Sequence, residues 1–359
     1  MLLLSGAVIL FAYQNRRATW AERPLPTLMP TLALAQVERT PAMPLPATNT
    51  PLPPATATVG VTATAVPPTL TPTLTPTLTE TAVPTITATP DLYPTPALTL
   101  VPGSPQGYLD KFRLVAFYGS PTGPGLGILG NQPRAETLAL LRQRALEYQA
   151  LSPERPILPT YHLIISVANL TPPYYYANVD LDLIEEWVAD ATATGVAVIL
   201  DIQPGQGDVL FIYKRIRHLL YNPHVHLAID PEFSMAEGQV PGQTVGTLYA
   251  STINALQQDL HDIGYEIGLN RVLIVHQFAE IMLPDKENIE DYAYVELVID
   301  GDGVGSPEAK IRNYTQYAQE PAFEYGGFKL FPIDGDYPVL TPPEVMSLLT
   351  PSPVIIIYQ

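Results

Sequence analysis

Two carboxylates, Asp230 and Glu232, stand two residues apart in the segment VHLAIDPEFSM, residues 225–235. Side chains with this spacing point to one face of an extended strand, and the small Ala228 two residues earlier indicates that this face is an interior one. Two carboxyls held so close cannot both ionise cheaply, so one pKa should rise. A carboxylic acid that stays protonated near neutral pH can donate a proton to a leaving oxygen. The alternative is structural, with Asp230 bonding backbone amides and Glu232 capping the next loop.

Other side chains able to bind a substrate or move a proton follow most of the remaining apolar runs. Together with the Asp230–Glu232 pair, the predicted site comprises Tyr118, Asp201, Gln203, His276, Gln277, Asp300, Asp302, Asp334 and Tyr358. Each lies at or near the carboxyl-terminal end of such a run. A single polar residue after an apolar run is expected of any solvated loop. Polar residues after nearly every one of these runs indicate a shared cleft.

A scaffold that gathers these positions is predicted for residues 106–359, where short β-branched runs alternate with longer amphipathic stretches. This alternation is typical of βα units. Strands are predicted at 112–119, 161–168, 196–202, 225–230, 271–278, 295–300, 328–333 and 354–359. Helices are predicted at 134–151, 180–194, 208–221, 247–268, 286–293, 306–319 and 342–350. The strands are apolar on both faces, as parallel strands covered by helices are.

Eight strands and seven helices in this span predict an α/β fold, a (β/α)8 TIM-type barrel of eight parallel strands. About 250 residues is the usual size of that fold, and its active sites form at the carboxyl ends of the strands. The closing helix would be missing, because the sequence stops at the eighth strand. A doubly wound open sheet is the alternative fold.

The amino-terminal part of the chain has a different composition. Residues 1–13 are an apolar run followed by Arg16 and Arg17, which is short for a bilayer span and resembles the core of a signal peptide. We therefore predict a membrane anchor or signal remnant over residues 1–23. Residues 24–105 are rich in proline and threonine, a composition that predicts a disordered linker and is typical of extracellular stalks. The barrel is thus expected to be extracellular or at the cell surface, membrane-anchored or secreted.

Charge and cysteine content exclude several kinds of partner and site. The chain has a formal charge of −17 and no cysteine, so disulfides, thiolate metal sites and a cysteine nucleophile are excluded. Residues 1–105 contain four basic and four acidic side chains, which places the whole imbalance in residues 106–359. A domain this acidic repels polyanions, so we expect no nucleic-acid partner. Contact with a membrane is expected only through the N-terminal segment.

Several short sequence motifs resemble those of known families. In order, FYGSP…GILG, LDIQPG, DPEFSM, VHQF and DGDG resemble an uncharacterised family of exported bacterial barrels often described as lipoproteins. More distantly, the D-x-E at the end of the fourth predicted strand is similar to that of family-25 lysozymes and chitinase-type glycosidases. The resemblance implies that Glu232 is the proton donor and Asp230 its neighbour. His226 and Ala228 stand where the chitinase pattern continues its acidic series.

The first hypothesis is therefore a glycoside hydrolase acting on a polysaccharide or peptidoglycan-like glycan. Glu232 would be the general acid, and Asp300 or Asp334 the nucleophile or base. The aromatic run PPYYY after the second predicted strand, residues 172–176, suits the faces of sugar rings. No cofactor and no metal ligand are predicted, and we expect a monomer.

Two rival functions use the same residues. One is a barrel that binds glycan without cleaving it. The other is a metal-dependent hydrolase that would use Asp201, Asp230, Glu232, His276 and Asp300.

Overall fold

The structure is a computed structural model that describes residues 98–333 and 335–359. The segment predicted as an anchor or signal remnant and nearly all of the predicted linker lie outside the described residues. Within the part of the chain that is described, no helix is long and apolar enough to cross a membrane.

Eight parallel strands close into a barrel. The strands in the described residues are β1 (Arg113–Gly119), β2 (Ile157–Ala168), β3 (Tyr176–Asn178), β4 (Ala197–Ile202), β5 (Val225–Ile229), β6 (Arg271–Gln277), β7 (Val295–Gly301), β8 (Tyr325–Leu330) and β9 (Ile355–Tyr358). The pairing runs β1-β2-β4-β5-β6-β7-β8-β9 and returns to β1, with every neighbour parallel. The short β3 is antiparallel to the end of β2 and lies outside the ring. The predicted (β/α)8 barrel is confirmed, and the open sheet is excluded.

Helices cover the outside of the barrel. Those described are α1 (Arg134–Gln149), α2 (Leu181–Thr194), α3 (Val209–Ile216), α4 (Ala250–Ile267), α5 (Pro307–Tyr317) and α6 (Pro342–Leu348). Local chemistry sets several of their ends: Asp180 accepts the N–H of Asp182 at the start of α2, which stops at Gly195 with φ 71°. Such side-chain caps and left-handed glycines are the usual signals of helix start and stop.

The helix predicted at 286–293 is wrong. Between β6 and β7 the chain forms two single 3-10 turns, Glu280–Met282 and Lys286–Asn288. Side chains of α4 take the backbone groups that a helix would need: Asn254 Nδ2 donates to the carbonyl of Asn288 at 2.9 Å, and Gln257 Nε2 to that of Glu290 at 2.8 Å. With these bonds made to α4, the segment satisfies its polar backbone without helical pairing.

Two apolar layers follow from the alternation of side chains along the strands. Alternate strand residues pack against the helices in one large core, which includes Leu163, Leu200, Leu227 and Val275. The residues between them fill the barrel interior in a second core, which includes Ala116, Ile199, Ala228 and Ile274. Two residues further along the chain, at or just beyond the ends of these four strands, the inward positions become polar, and they are Tyr118, Asp201, Asp230 and His276.

The opposite end of the barrel is closed by the segment before β1. Glu296, near the start of β7, accepts the backbone N–H groups of Tyr108 and Leu109 on one carboxylate oxygen, at 2.9 and 3.0 Å. His224 and His226 also lie at this end: His224 Nδ1 bonds the Tyr108 hydroxyl at 2.9 Å, and His226 Nδ1 accepts the N–H of Val272 at 3.2 Å. These two histidines therefore have structural partners.

Candidate active site

His276 lies at the centre of the polar layer, between two carboxylates. Its Nδ1 lies 2.8 Å from Oδ2 of Asp300, its register partner on β7. Its Nε2 lies 3.6 Å from Oδ2 of Asp201 on β4. All three side chains are fully buried, so each interaction acts without screening by solvent.

The two carboxylates determine the charge of His276. Burial and the nearby Lys329 ammonium each lower the pKa of the imidazole, but Asp201 and Asp300 outweigh them and raise the pKa to about 10. Burial alone would raise the pKa of Asp201, yet His276, His162 and Lys329 bring it below its usual value. In the absence of any further ligand, His276 is therefore an imidazolium next to an ionised Asp201 at neutral pH.

A second histidine faces the same carboxylate. His162, in the middle of β2, has its Nε2 3.7 Å from Oδ2 of Asp201. Neither of its ring nitrogens has a hydrogen-bond partner in the described residues. Burial lowers its pKa well below the usual value, so this imidazole is neutral. The ring of Tyr118 packs edge-on against it at 4.9 Å between centroids.

Lys329, on β8, supplies a cation to the same layer. Its Nζ lies 3.3 Å from Oδ1 of Asp302 and 3.6 Å from the centre of the Tyr118 ring. The other Asp302 oxygen lies 3.7 Å from Nδ1 of His276. Asp302 thus links the lysine to the histidine–carboxylate group, and the cation stacks on an aromatic face.

Tyr118 and Gln203 extend the layer towards β2. Gln203 Nε2 donates to the Tyr118 hydroxyl oxygen at 3.1 Å, while Gln203 Oε1 accepts the backbone N–H of Ala168 at 3.1 Å. Burial, together with the charges of Asp201 and Asp230, raises the pKa of Tyr118 well above its usual value. The phenol therefore keeps its proton and serves as a neutral hydrogen-bonding group.

The Asp230–Glu232 pair is arranged differently from the prediction of one extended face. The strand β5 ends at Ile229, and Glu232 lies in a single 3-10 turn, Pro231–Phe233. Asp230 caps that turn, with Oδ1 accepting the N–H of Glu232 at 3.2 Å. The structural role considered for Asp230 is therefore present.

The predicted rise in a pKa is found at Asp230. Burial is the largest cause and raises the pKa of this carboxyl. The charge of His276 opposes the rise, whereas the charges of Glu232, Asp302 and Asp201 add to it, and the pKa reaches about 8. Asp230 is 1% exposed and Glu232 is 5% exposed. Asp230 is thus a carboxylic acid that holds its proton at neutral pH, within the electrostatic reach of ionised carboxylates.

Most of the predicted site residues share this interior, but two do not. Gln277 extends the helix-facing series of β6, and its Oε1 accepts a hydrogen bond from Lys286 Nζ at 2.9 Å in the β6–β7 loop. The Tyr358 hydroxyl bonds that of Tyr148 on α1 at 2.7 Å. Both side chains lie on the outer face of the barrel, because strand parity sends alternate residues outwards. Their predicted role in substrate binding is corrected accordingly, and Asp334 lies outside the described residues.

Two residues of the layer, His162 and Lys329, are absent from the predicted set. The prediction began the second strand at 161 and the eighth at 328, whereas β2 begins at Ile157 and β8 runs from Tyr325 to Leu330. Each residue was therefore placed at the start of its strand, on the stability side of the barrel. His162 lies two residues before Ile164, which belongs to the interior core, and this two-residue spacing is the signal that identifies His162 as an inward residue.

Exposed aromatic side chains surround the end of the barrel where this layer lies. Tyr174, Tyr249 and Tyr337 are 61%, 57% and 89% exposed. Tyr174 lies between β2 and β3, and the other two lie between a strand and the following helix. The loop with Tyr174 is anchored on the β4–α3 loop, where Gln206 donates its N–H to the Tyr174 carbonyl at 2.7 Å. Aromatic faces are thus available at the rim.

Comparison with known proteins gives no relative from which a role could be transferred. The chain matches no protein-family model, and no curated protein matches it either. The chemistry of the site therefore has to be inferred from the geometry of its own residues.

Proposed function

We propose that this barrel is an extracytoplasmic glycoside hydrolase that acts on a polysaccharide or cell-wall glycan. One observation carries the proposal: Asp201, Asp230, Asp300 and Asp302, from three different strands and the turns after them, converge on one buried layer at the carboxyl ends of the barrel. Glycosidic cleavage uses a protonated and an ionised carboxyl in one site, and this layer contains both states.

The acid is assigned to the Asp230–Glu232 pair. Asp230 retains a proton because its pKa is about 8, and coupled carboxyls titrate as a unit. The shared proton passes from Asp230 to Glu232, which at 5% exposed is the member nearer to solvent, and from Glu232 to the leaving oxygen. For the second carboxylate, the nucleophile or base, we keep the residues predicted from the sequence, Asp300 or Asp334.

The rim supports a glycan as the substrate class. Tyr174, Tyr249 and Tyr337 present aromatic faces to solvent beside the βα loops, and such faces bind the apolar sides of sugar rings while Tyr hydroxyls bond their polar edges. The acidic charge of the chain disfavours nucleic acid as a partner. With a membrane-associated N-terminal segment and a Pro/Thr-rich spacer, the barrel would act as a monomer at the cell surface.

The test is hydrolysis by the full-length chain of insoluble peptidoglycan and a panel of polysaccharides, followed by new reducing ends. Asp230→Asn and Glu232→Gln remove the proton and keep side-chain volume, so each should lower the rate by about 100-fold or more. Glu237→Gln, an exposed carboxylate of the same β5–α4 loop, is the matched control and should leave the rate unchanged. Equal rates in the wild type and Glu232→Gln, with both folded, would refute the assignment.

The depth of the layer favours a second candidate, a glycan-binding protein without catalysis. Asp201, Asp300 and Asp302 are fully buried, so a sugar that rests on the rim aromatics need not reach them. In that case the wild-type chain would sediment with a glycan without releasing reducing ends. Tyr174→Ala and Tyr249→Ala would weaken that binding, while Glu232→Gln would leave it intact.

A further inference from the structure

We infer that His162, Asp201 and His276 form a binding site for one divalent transition-metal ion of the Zn²⁺ type. This inference does not depend on the proposed glycan chemistry. The three residues come from β2, β4 and β6, and the potential ligand atoms of His162, Asp201 and His276 all lie within 4.8 Å of one another.

The spacing of the donor atoms is that of metal ligands. Asp201 Oδ2 lies 3.7 Å from His162 Nε2 and 3.6 Å from His276 Nε2. Hydrogen bonds between such atoms are about 2.7–3.2 Å long, so both separations are too great for a direct bond. Ligands at about 2.0–2.2 Å from a tetrahedral ion lie roughly 3.3–3.6 Å from one another. The two separations from Asp201 Oδ2 are therefore close to those of ligands around one ion, and the whole set lies within 4.8 Å.

The same atoms have no hydrogen bonds within the described residues. Both ring nitrogens of His162, both oxygens of Asp201 and Nε2 of His276 are buried without such a bond, and all three residues are 0% exposed. Buried polar atoms in folded proteins are nearly always bonded, because an unsatisfied one costs about 1–3 kcal/mol of free energy. An ion would satisfy one atom of each residue at once, and its binding would release the Nε2 proton of the His276 imidazolium to solvent.

Asp300 gives His276 the arrangement of a metal-ligating histidine. The Nδ1–Oδ2 hydrogen bond of 2.8 Å places the Nδ1 proton towards Asp300 and directs Nε2 towards Asp201. A carboxylate that accepts the other ring N–H is the usual second partner of such a histidine. Two imidazole nitrogens and one carboxylate oxygen match zinc and its neighbours in the first transition row, and not calcium or magnesium.

The experiment measures Zn²⁺ and Co²⁺ binding to the full-length chain after chelator treatment and dialysis. One equivalent of Zn²⁺ should bind, and Co²⁺ should give visible absorption bands of a site with nitrogen and oxygen ligands. Asp201→Asn and His162→Gln should each weaken Zn²⁺ binding by more than about 100-fold, and Asp300→Asn by about 10–100-fold. His218→Gln is the matched control, since that imidazole is about half exposed and pairs with Glu185 on the surface.

A second readout covers variants that lose stability. Saturating Zn²⁺ should raise the Tm of the wild type and of His218→Gln, since an ion that binds the folded state stabilises it. It should leave the Tm of Asp201→Asn unchanged. The site would be refuted by a wild-type chain that binds less than a tenth of an equivalent, or by equal Zn²⁺ affinity in the wild type and folded Asp201→Asn. Loss of binding in His218→Gln alone would also refute it, because the ion would then be on the surface.

Discussion

His276 and Asp300 are register partners on adjacent parallel strands, and their side chains are joined by a hydrogen bond of 2.8 Å inside the barrel. The bond fits because the next strand provides space: a Cβ on Gly327 of β8 would lie 2.8 Å from Oδ1 of Asp300. A glycine within a strand commonly marks such a close approach. Gly327 therefore leaves room for the carboxylate that orients His276.

Replacing Asp300 by Asn should weaken this bond and lower the free energy of unfolding by about 1.5–3 kcal/mol, the usual worth of a hydrogen bond to a charged group. Urea unfolding of the metal-free chain at pH 7 measures it. Glu186→Gln is the control, because that carboxylate is 65% exposed in its pair with Arg134, and a change within about 0.5 kcal/mol is expected there. Equal effects of the two variants would mean that the buried bond contributes nothing.

Replacing Asp336 by Ala should be more damaging. Its carboxylate lies 2.8 Å from Lys310 Nζ and accepts the N–H groups of Gly305 and Phe331. Removing it leaves a buried ammonium without its counter-ion, which costs about 3–5 kcal/mol of unfolding free energy. Glu147→Ala, in a half-exposed pair with Arg144, should cost about 1 kcal/mol or less. Urea unfolding of both variants tests the contrast.

Replacing Tyr358 by Phe should reduce stability and leave glycan binding unchanged. The buried Tyr148 hydroxyl bonds the Tyr358 hydroxyl at 2.7 Å. The variant leaves it without this partner, which should lower the free energy of unfolding by about 1–3 kcal/mol. The double variant Tyr148→Phe/Tyr358→Phe should recover much of that loss, because neither ring is then left with an unpaired hydroxyl. Weaker glycan binding by folded Tyr358→Phe would instead show that Tyr358 belongs to the binding site.

The barrel itself was predictable because its strands are apolar on both faces and its turns are strongly polar. Seven of the eight predicted strand ends fall within one residue of the observed ones, whereas β8 ends earlier than predicted and both β2 and β8 begin earlier. Proline is disfavoured inside central strands, and Pro159 is accommodated in β2 because it precedes the pairing of β2 with β4, which begins at Thr160. Glycine weakens a strand pattern, but at Gly326 and Gly327 the space that a Cβ would take is occupied by Tyr314 and Asp300.

The site was predictable in its place and only partly in its members. Residues at strand tips were found from position alone, and Asp201, Asp230, His276, Asp300 and Asp302 share the buried layer. Strand parity decides which tip residues point inwards, so two adjacent tip residues such as His276 and Gln277 lie on opposite faces. Gln277 and Tyr358 were included because position at the tip was the only criterion, and both lie on the helix-facing side. His162 was missed because it lies below the tip, on a strand longer than predicted.

Glu296 should make the stability of the barrel depend on pH. Burial raises its pKa from 4.5 to about 8, although the N–H groups of Leu109 and Tyr108 oppose the shift. Between these two pH values the folded chain holds a proton at this site that the unfolded chain has released. The stabilising contribution is therefore fully present below pH 4.5 and is lost as the pH rises to about 8, with a slope of up to about 1.4 kcal/mol per pH unit.

The variant Glu296→Gln keeps the volume of the side chain and an oxygen for the two N–H groups, but it does not titrate. Its free energy of unfolding relative to the wild type should therefore rise steadily between pH 5 and pH 8, the window set by the shift from 4.5 to about 8. Urea unfolding at half-unit steps of pH measures the difference. Glu237→Gln, an exposed carboxylate, should give a flat difference over the same window. A flat difference for Glu296→Gln as well would show that Glu296 ionises in the folded chain at its ordinary pKa, with water reaching the barrel end that Tyr108 covers.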